Sequence, residues 1–280
     1  MKLGFSSWGM PNVPADTIIS SLAHMGYDGV ELTVIPGYTL DLDHLDTGYR
    51  KYVSELLKMH DLELPALAGH QPLVAADPDQ AAEHMRRLKG TVDLAVEWAR
   101  HGQPPCLDTT VGGGPDDWDA LGSLLIDRLG ELVEYAGERG VVLAIEPHVG
   151  SMLDTPPKVL RLLEHFDTPY LKVNFDISHF NVMGIDIETS VAAMAPVAVH
   201  THVKDERGTV PDFEFLIPGE GVFDYVAYLK AMERHGYTGY ISAEISVMVQ
   251  RRKGYDPIQA AAQTYQTLHD AFQAAGIDRG

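Results

Sequence analysis

Apolar residues along the chain follow two alternating patterns. Short runs, greasy throughout or at every second position, read as strands; longer stretches with apolar residues three and four apart read as helices. The strand-like runs are 2–7 (KLGFSS), 28–34 (DGVELTV), 62–69 (LELPALAG), 105–111 (PCLDTTV), 141–147 (VVLAIEP), 171–176 (LKVNFD), 197–205 (VAVHTHVKD) and 239–246 (GYISAEIS). Between them the spacing predicts helices. The first is capped by Asp16 and puts Ile18, Ile19, Leu22 and Met25 on one face; others span 45–60, 78–101, 117–140, 156–165, 186–194, 222–235 and 256–275. Strands that alternate with helices pair in parallel through right-handed crossovers. Eight such units in about 250 residues predict a closed (β/α)8 TIM barrel. No linker or low-complexity stretch divides the chain, so one domain over 1–280 is expected. A doubly wound open sheet is the rival, and it lacks a GxGxxG after the first strand.

In a barrel of this kind the active site forms at the carboxyl ends of the strands. The fifth run ends in Glu146, with His148 beyond it. The sixth ends in Asp176, with His179 beyond. The seventh carries His200, His202, Lys204 and Asp205, and the eighth ends in Glu244. Strand parity agrees: Glu146 shares a face with Ala144, Asp176 with Asn174, His202 with His200 and Glu244 with Ser242. The apolar face suits the outer helices, and the polar face points into the barrel. One carboxylate at a strand end is as readily a helix N-cap or a solvated loop residue. Agreement of end and parity on four consecutive strands favours convergence. Three carboxylates and one imidazole suit one divalent ion with mixed oxygen and nitrogen ligation. Mn²⁺, Mg²⁺ or Co²⁺ fit better than a structural Zn²⁺.

Other residues have more ordinary readings. His200 sits earlier on its strand and reads as a packed or supporting histidine. His70 contacts substrate or closes a turn. Glu31 supports the site or pairs with Lys204. Cys106 reads as core, and Trp8 and Trp118 form an apolar wall or pack in the core. VGGGP (111–115) lacks the Lys-Ser/Thr of a phosphate loop and reads as a turn.

Composition narrows the partners. The formal net charge of −19 disfavours nucleic acid and anionic membranes. A single cysteine excludes an internal disulfide and fits a reducing compartment. No apolar run approaches the roughly 18 residues of a membrane helix, and the N-terminus lacks a signal-peptide core. A soluble cytoplasmic protein is expected, in a homo-oligomer or in a hetero-oligomer with a second subunit.

IEPH, NFDISH, HTHVKD, PGEG and AEIS, in that order on the fifth to eighth strands, resemble the sugar phosphate isomerase/epimerase superfamily. Its xylose isomerase-like TIM barrels include ketose 3-epimerases, inosose isomerases and hydroxypyruvate isomerases. The resemblance spans the whole chain and is specific over 141–246. It implies Glu146, Asp176, His202 and Glu244 as metal ligands and His179 as a substrate contact. Lys204 and Asp205 match the family's His-x-Lys-Asp run. His148, Lys204, Arg207 and His70 join His179 as candidate substrate contacts. Two departures stand out. Ketose 3-epimerases often carry a second Glu where this chain has Met152, and an Arg where it has Gly208; Arg207 lies one place early.

The resemblance implies a carbohydrate, cyclitol or keto-sugar substrate and proton abstraction beside a carbonyl, through a metal-stabilised enediolate. Glu146 and Glu244 then remove and return the proton. The alternative on the same scaffold is a lyase or dehydratase that expels a leaving group from the same intermediate. It includes enzymes cleaving 3-keto-glycosides or C-glycosides and dehydroshikimate dehydratases. The segment 204–221 is long enough to lid a larger substrate. An abasic-site endonuclease needs more His and Asp ligands and an approach of DNA to a −19 chain. A non-catalytic sugar-binding barrel has no use for two carboxylate bases.

Overall fold

The computed structural model describes residues 1–279. Eight parallel strands close a barrel: β1 (Lys2–Ser6), β2 (Gly29–Thr33), β3 (Ala66–Ala68), β4 (Cys106–Thr109), β5 (Leu143–Ile145), β6 (Leu171–Asp176), β7 (Ala198–Val203) and the late strand β10 (Tyr240–Ala243). β10 pairs with both β7 and β1, and β1 pairs with β2, which completes the ring. The crossovers carry α1 (Ala15–Met25), α2 (Thr47–Met59), α3 (Pro78–Glu97), α4 (Trp118–Gly137), α5 (Pro156–Leu163), α6 (Ile177–Asn181), α7 (Ile187–Met194) and α8 (Tyr225–Arg234). The short α9 (Val247–Gln250) and the long α10 (Pro257–Ala275) close the chain. The fold is the expected TIM barrel.

Strand parity sorts the side chains into two layers. Leu3, Phe5, Val30, Leu32, Leu67, Leu107, Leu143, Val173, Phe175 and Ile241 join the main hydrophobic core, which packs the strands against the helices. The inner layer is small at one end, where Ala66, Cys106 and Ala144 form a separate buried cluster. Gly4 belongs to this crowded interior: a Cβ there would stand 2.4 Å from Ser242 Oγ. Small residues at the floor leave the inward space at the strand ends to polar side chains.

Aspartates start most of the long helices. Asp46, Asp77, Asp224 and Asp256 each accept a backbone N–H of the first turn. The first helix departs from expectation. Its N-cap is Pro14, and Asp16 lies inside the first turn, bonded to the Thr17 N–H at 2.7 Å. α3 stops at Glu97, with Trp98 as its C-cap, short of the expected 101.

The segment expected as a lid is an antiparallel hairpin, β8 (Asp205–Thr209) and β9 (Asp212–Leu216). Asp205 anchors its base. Its two carboxylate oxygens accept backbone N–H groups of Glu206, Gly219, Gly221 and Phe223 at 2.8–3.0 Å. Gly221 is required there, since a Cβ would meet Asp205 Oδ1 at 2.2 Å. Hydrogen bonds to a buried charge contribute about 1.5–3 kcal/mol each, and their donors would be stranded together. Asp205→Ala is therefore expected to lower stability by about 3 kcal/mol in urea unfolding; a loss below about 0.5 kcal/mol would contradict this anchoring role.

Candidate metal centre and active site

Each candidate ligand sits at or just past a strand end. Asp176 ends β6 and also caps α6: its Oδ1 accepts the Ser178 N–H at 3.0 Å. The cap fixes one oxygen and leaves Oδ2 facing inward, toward Lys204 Nζ and 3.3 Å from His179 Nε2. Glu146 follows β5 and continues its ladder through a 2.9 Å bond from its N–H to the Thr109 carbonyl. Glu244 follows β10 in the same way, bonding the Val203 carbonyl at 3.1 Å. His202 lies on β7, in register with Asp176 on one side and Ser242 on the other. One ligand atom each from Glu146, Asp176, His202 and Glu244 falls within 4.8 Å of the others, and all four residues are buried.

His202 organises the cluster. Its Nε2 is placed to donate to Glu31, 3.0 Å from Oε2. Its Nδ1 faces Glu146 Oε1 at 3.0 Å and Asn174 Nδ2 at 3.1 Å, with Glu244 Oε1 at 3.8 Å. Glu31 is held in turn by Ser6 Oγ at 2.5 Å and lies 3.1 Å from His200 Nε2. A carboxylate behind the imidazole fixes the ring and presents the other nitrogen to the centre, the arrangement that supports metal-ligating histidines. Glu31 thus lies behind His202, with His200 beside it. The alternative pairing of Glu31 with Lys204 is not formed: Lys204 Nζ bonds Asp176 Oδ2 and lies 2.5 Å from Glu244 Oε2.

The electrostatics follow from burial and these contacts. Burial by itself raises a carboxyl, yet the His202 hydrogen bond and the His148 and His202 charges hold Glu146 well below the usual range. Burial likewise opposes ionisation of Asp176, but Lys204 and His179 bring it down to about 2. Burial disfavours charge on His202, and the Glu31 and Glu244 carboxylates overcome it and hold the imidazolium well above its ordinary value. Lys204 is raised by Asp176 and Glu244 against the same penalty. Glu31, Glu146, Asp176 and Glu244 thus face only two cations. The donor chemistry and the excess negative charge both fit a divalent ion.

Around the cluster opens a cavity of ≈ 440 Å³, lined by Trp8, His70, Glu146, His148, His179, Lys204, Phe215 and Glu244. Its size suits a small molecule. The His148 and His179 rings lie close together, with centroids 3.6 Å apart and planes tilted by 39°. Burial first, and then the His148 charge, lower the His179 pKa well below the ordinary value. His70 packs edge-on against Trp8, with centroids 5.1 Å apart. Of the candidate contacts, His70, His148, His179 and Lys204 line the cavity and Arg207 does not. Arg207 stands on the exposed face of the hairpin, bonded to Glu214 at 2.9 Å and the Glu220 carbonyl at 3.0 Å. Trp8 forms a wall; Trp118 instead carries the Arg161 guanidinium 4.4 Å over its ring, on α4. Met152 is fully buried outside the cavity lining.

Two residues escaped the sequence reading. Asp108, on β4, is buried with neither carboxylate oxygen hydrogen-bonded, 3.6 Å from His70 Nε2. Burial, with Glu146 and Glu31 nearby, pushes its pKa well up. Its parity with the inward Cys106 was the available signal. Phe215, from the hairpin, packs edge-on against His179 with centroids 5.1 Å apart and lies 5.6 Å from Lys204 Nζ. Nothing in its local sequence marked it.

A family model described as xylose isomerase-like TIM barrel matches residues 19–269. The chain belongs to this family. It is 28% identical over 162 residues to an inosose dehydratase of Salmonella agona, covering 52% of the chain but only 53% of that enzyme, about half its length. It is 24% identical over 259 residues to a fructoselysine 3-epimerase of Shigella flexneri, covering 89% of the chain and 91% of that enzyme. The crystal structure of the IolI protein with a bound zinc atom matches with a TM-score of 0.81 over 98% of the chain and 99% of that one, at 19% identity. The likeness to IolI is one of fold. Family members include sugar-modifying epimerases, isomerases and dehydratases.

Removal of the carboxylate behind a ligating histidine typically weakens metal binding 10–100-fold. Glu31→Gln is expected to raise the Mn²⁺ dissociation constant by that factor in a calorimetric titration, with the fold intact by circular dichroism. A change below about threefold would show that Glu31 does not support the site.

Proposed function

We propose that the protein is a divalent-metal-dependent isomerase or epimerase of a small keto-sugar or cyclitol, with Mn²⁺ as the natural ion and Mg²⁺ or Co²⁺ as substitutes. The observation that carries this reading is the convergence of two carboxylates, Glu146 and Glu244, with Asp176 and His202 at one point of the cavity. Glu146, Asp176, His202 and Glu244 would hold the ion. When bound, a divalent ion supplies Lewis-acid stabilisation of the negative charge that develops as a C–H proton leaves.

The chain's own groups perform the rest. β6 and β7 separate β5 from β10 in the barrel, so Glu146 and Glu244 approach the cavity from two sides. The carboxylate that is ionised takes the proton from the carbon beside the carbonyl, and the other, carrying a proton acquired from solvent, returns it to the intermediate. Return to the opposite face of the same carbon inverts it; return to the neighbouring carbon moves the carbonyl. Lys204 and the His148–His179 pair offer donors to substrate oxygens. Trp8 and Phe215 form apolar walls that limit water around the reacting carbon.

A second reading is dehydration, and the close His148–His179 pair favours it. After the same C–H proton is removed, a neighbouring hydroxyl can leave as water if an acid protonates it; His148, 3.9 Å from Glu146 Oε2, would be that acid, while His179, whose pKa lies well below the ordinary value, would only orient it. The burial of Met152, where a second glutamate often stands in ketose 3-epimerases, supports the same alternative.

The test is proton exchange in D₂O, followed by NMR with Mn²⁺ and a panel of ketoses, inososes and 3-keto-glycosides. Solvent deuterium is expected at the carbon next to the carbonyl. Glu146→Gln and Glu244→Gln should each reduce exchange by about 10²–10⁴-fold while the protein stays folded. Near-normal exchange in either variant would refute the two-carboxylate scheme. Net loss of water from the substrate would select dehydration over isomerisation.

A further inference from the structure

Beside the cavity that holds the carboxylates lies a second one, of ≈ 550 Å³. Val247 lines both, so the two adjoin at the mouth of the barrel. The second cavity is walled by the loop after β1 (Met10, Pro11, Val13) and by α9 with the turn that follows it (Arg251, Tyr255). These walls are tied together. Gln250 Nε2 donates to the Trp8 carbonyl at 3.1 Å and to the Ile245 carbonyl at 2.8 Å; Tyr255 Oη donates to the Gly9 carbonyl at 2.8 Å. Arg252 pairs with Glu220 at 2.6 Å, which joins the turn to the chain leaving the hairpin.

Arg251, Arg252 and Lys253 are the only run of three basic residues in a chain of net charge −19. Elsewhere arginines find partners. They pair with carboxylates, as at Arg50, Arg86, Arg87, Arg139, Arg234 and Arg279. Arg128 bonds two backbone carbonyls, and Arg161 stacks on Trp118. Among the described residues the Arg251 side chain has no carboxylate within 4 Å, no hydrogen bond and no aromatic ring under it, although it lines the second cavity; only its backbone N–H is bonded, to the Val247 carbonyl. Lys253 is equally free and exposed. With 40 acidic residues available, a guanidinium left unpaired at the edge of a cavity has donors to offer a ligand.

We propose that the second cavity is a subsite for an anionic group, a carboxylate or a phosphate, carried by the substrate some way from its carbonyl. The proposal rests on the reading of the first cavity as a site of carbonyl chemistry on a carbohydrate. Arg251 supplies a planar fork that matches either oxyanion, and Arg252 and Lys253 add positive potential. Met10, Val13 and Tyr255 offer apolar surface to the part of the substrate between the two groups. The local positive charge also counters the repulsion that a chain of −19 exerts on an anionic substrate.

The experiment measures binding of fructose, fructuronate and fructose 6-phosphate to the Mn²⁺-loaded protein by calorimetry. The three probes share a hydroxy-ketone and differ at the far carbon. At least one anionic probe should bind the wild type about tenfold more tightly than fructose or better. Which one does so tells carboxylate from phosphate. The exposed double variant Arg251→Glu/Lys253→Glu should bring the three to within about threefold of one another. Equal binding of all three by the wild type would overturn the proposal. So would a preference that survives in the variant, since the anion would then be held elsewhere, at the Mn²⁺ for example. An anion preference without C–H exchange in D₂O would support the subsite and count against the proposed reaction.

Discussion

The barrel mouth depends on one electrostatic constraint: ionised carboxylates are buried together and must be balanced on the spot. Glu31, Glu146, Asp176 and Glu244 are each no more than 4% exposed. An isolated buried charge of this kind would carry a prohibitive desolvation cost. His202 and Lys204 meet that cost by bridging carboxylates, His202 between Glu31 and Glu146 and Lys204 between Asp176 and Glu244. At Asp108 burial, with Glu146 and Glu31 nearby, works the other way and pushes the pKa well up. Two cations among four buried carboxylates leave the centre attractive to a further positive charge, which is the property a divalent-metal site requires.

The scaffold serves this arrangement at each level. Strand parity sends apolar residues outward and polar ones inward, so a single periodicity builds both the core and the site. The small residues at the barrel floor, such as Gly4 and Ala66, let the strands close tightly beneath the polar layer. The cap of α6 holds Asp176 by one oxygen and aims the other. The Asp205 anchor fixes the base of the hairpin, which brings Phe215 over His179 and Lys204. The side chains around the reacting position are thus held by backbone ladders, caps and anchors rather than by free loops.

Most of this was legible because it is periodic. The eight strands and the convergence of Glu146, Asp176, His202 and Glu244 follow from alternation and from position at strand ends. What alternation does not convey is the partner across the barrel. Glu31 points inward by parity, but whether it meets Lys204 or His202 depends on how far each side chain reaches, and the shorter path runs to the histidines. Arg207 follows the motif in sequence, yet the hairpin turns it outward toward Glu214. The hairpin itself was hidden in a polar segment whose alternation, DFEFL, is short and interrupted. Asp108 was readable by the parity that identified its neighbours; it stands before the end of its run, between Leu107 and Thr109, which obscured it.

The claim that Glu146, Asp176, His202 and Glu244 hold a single divalent ion can be tested by anomalous diffraction from crystals grown with Mn²⁺. The account predicts one strong anomalous peak per chain, ligated by all four side chains, with the His202 nitrogen opposite Glu31 directed at the metal. A peak ligated by other residues, or full Mn²⁺ with Lys204 still bridging Asp176 and Glu244 and no density among the four, would contradict it.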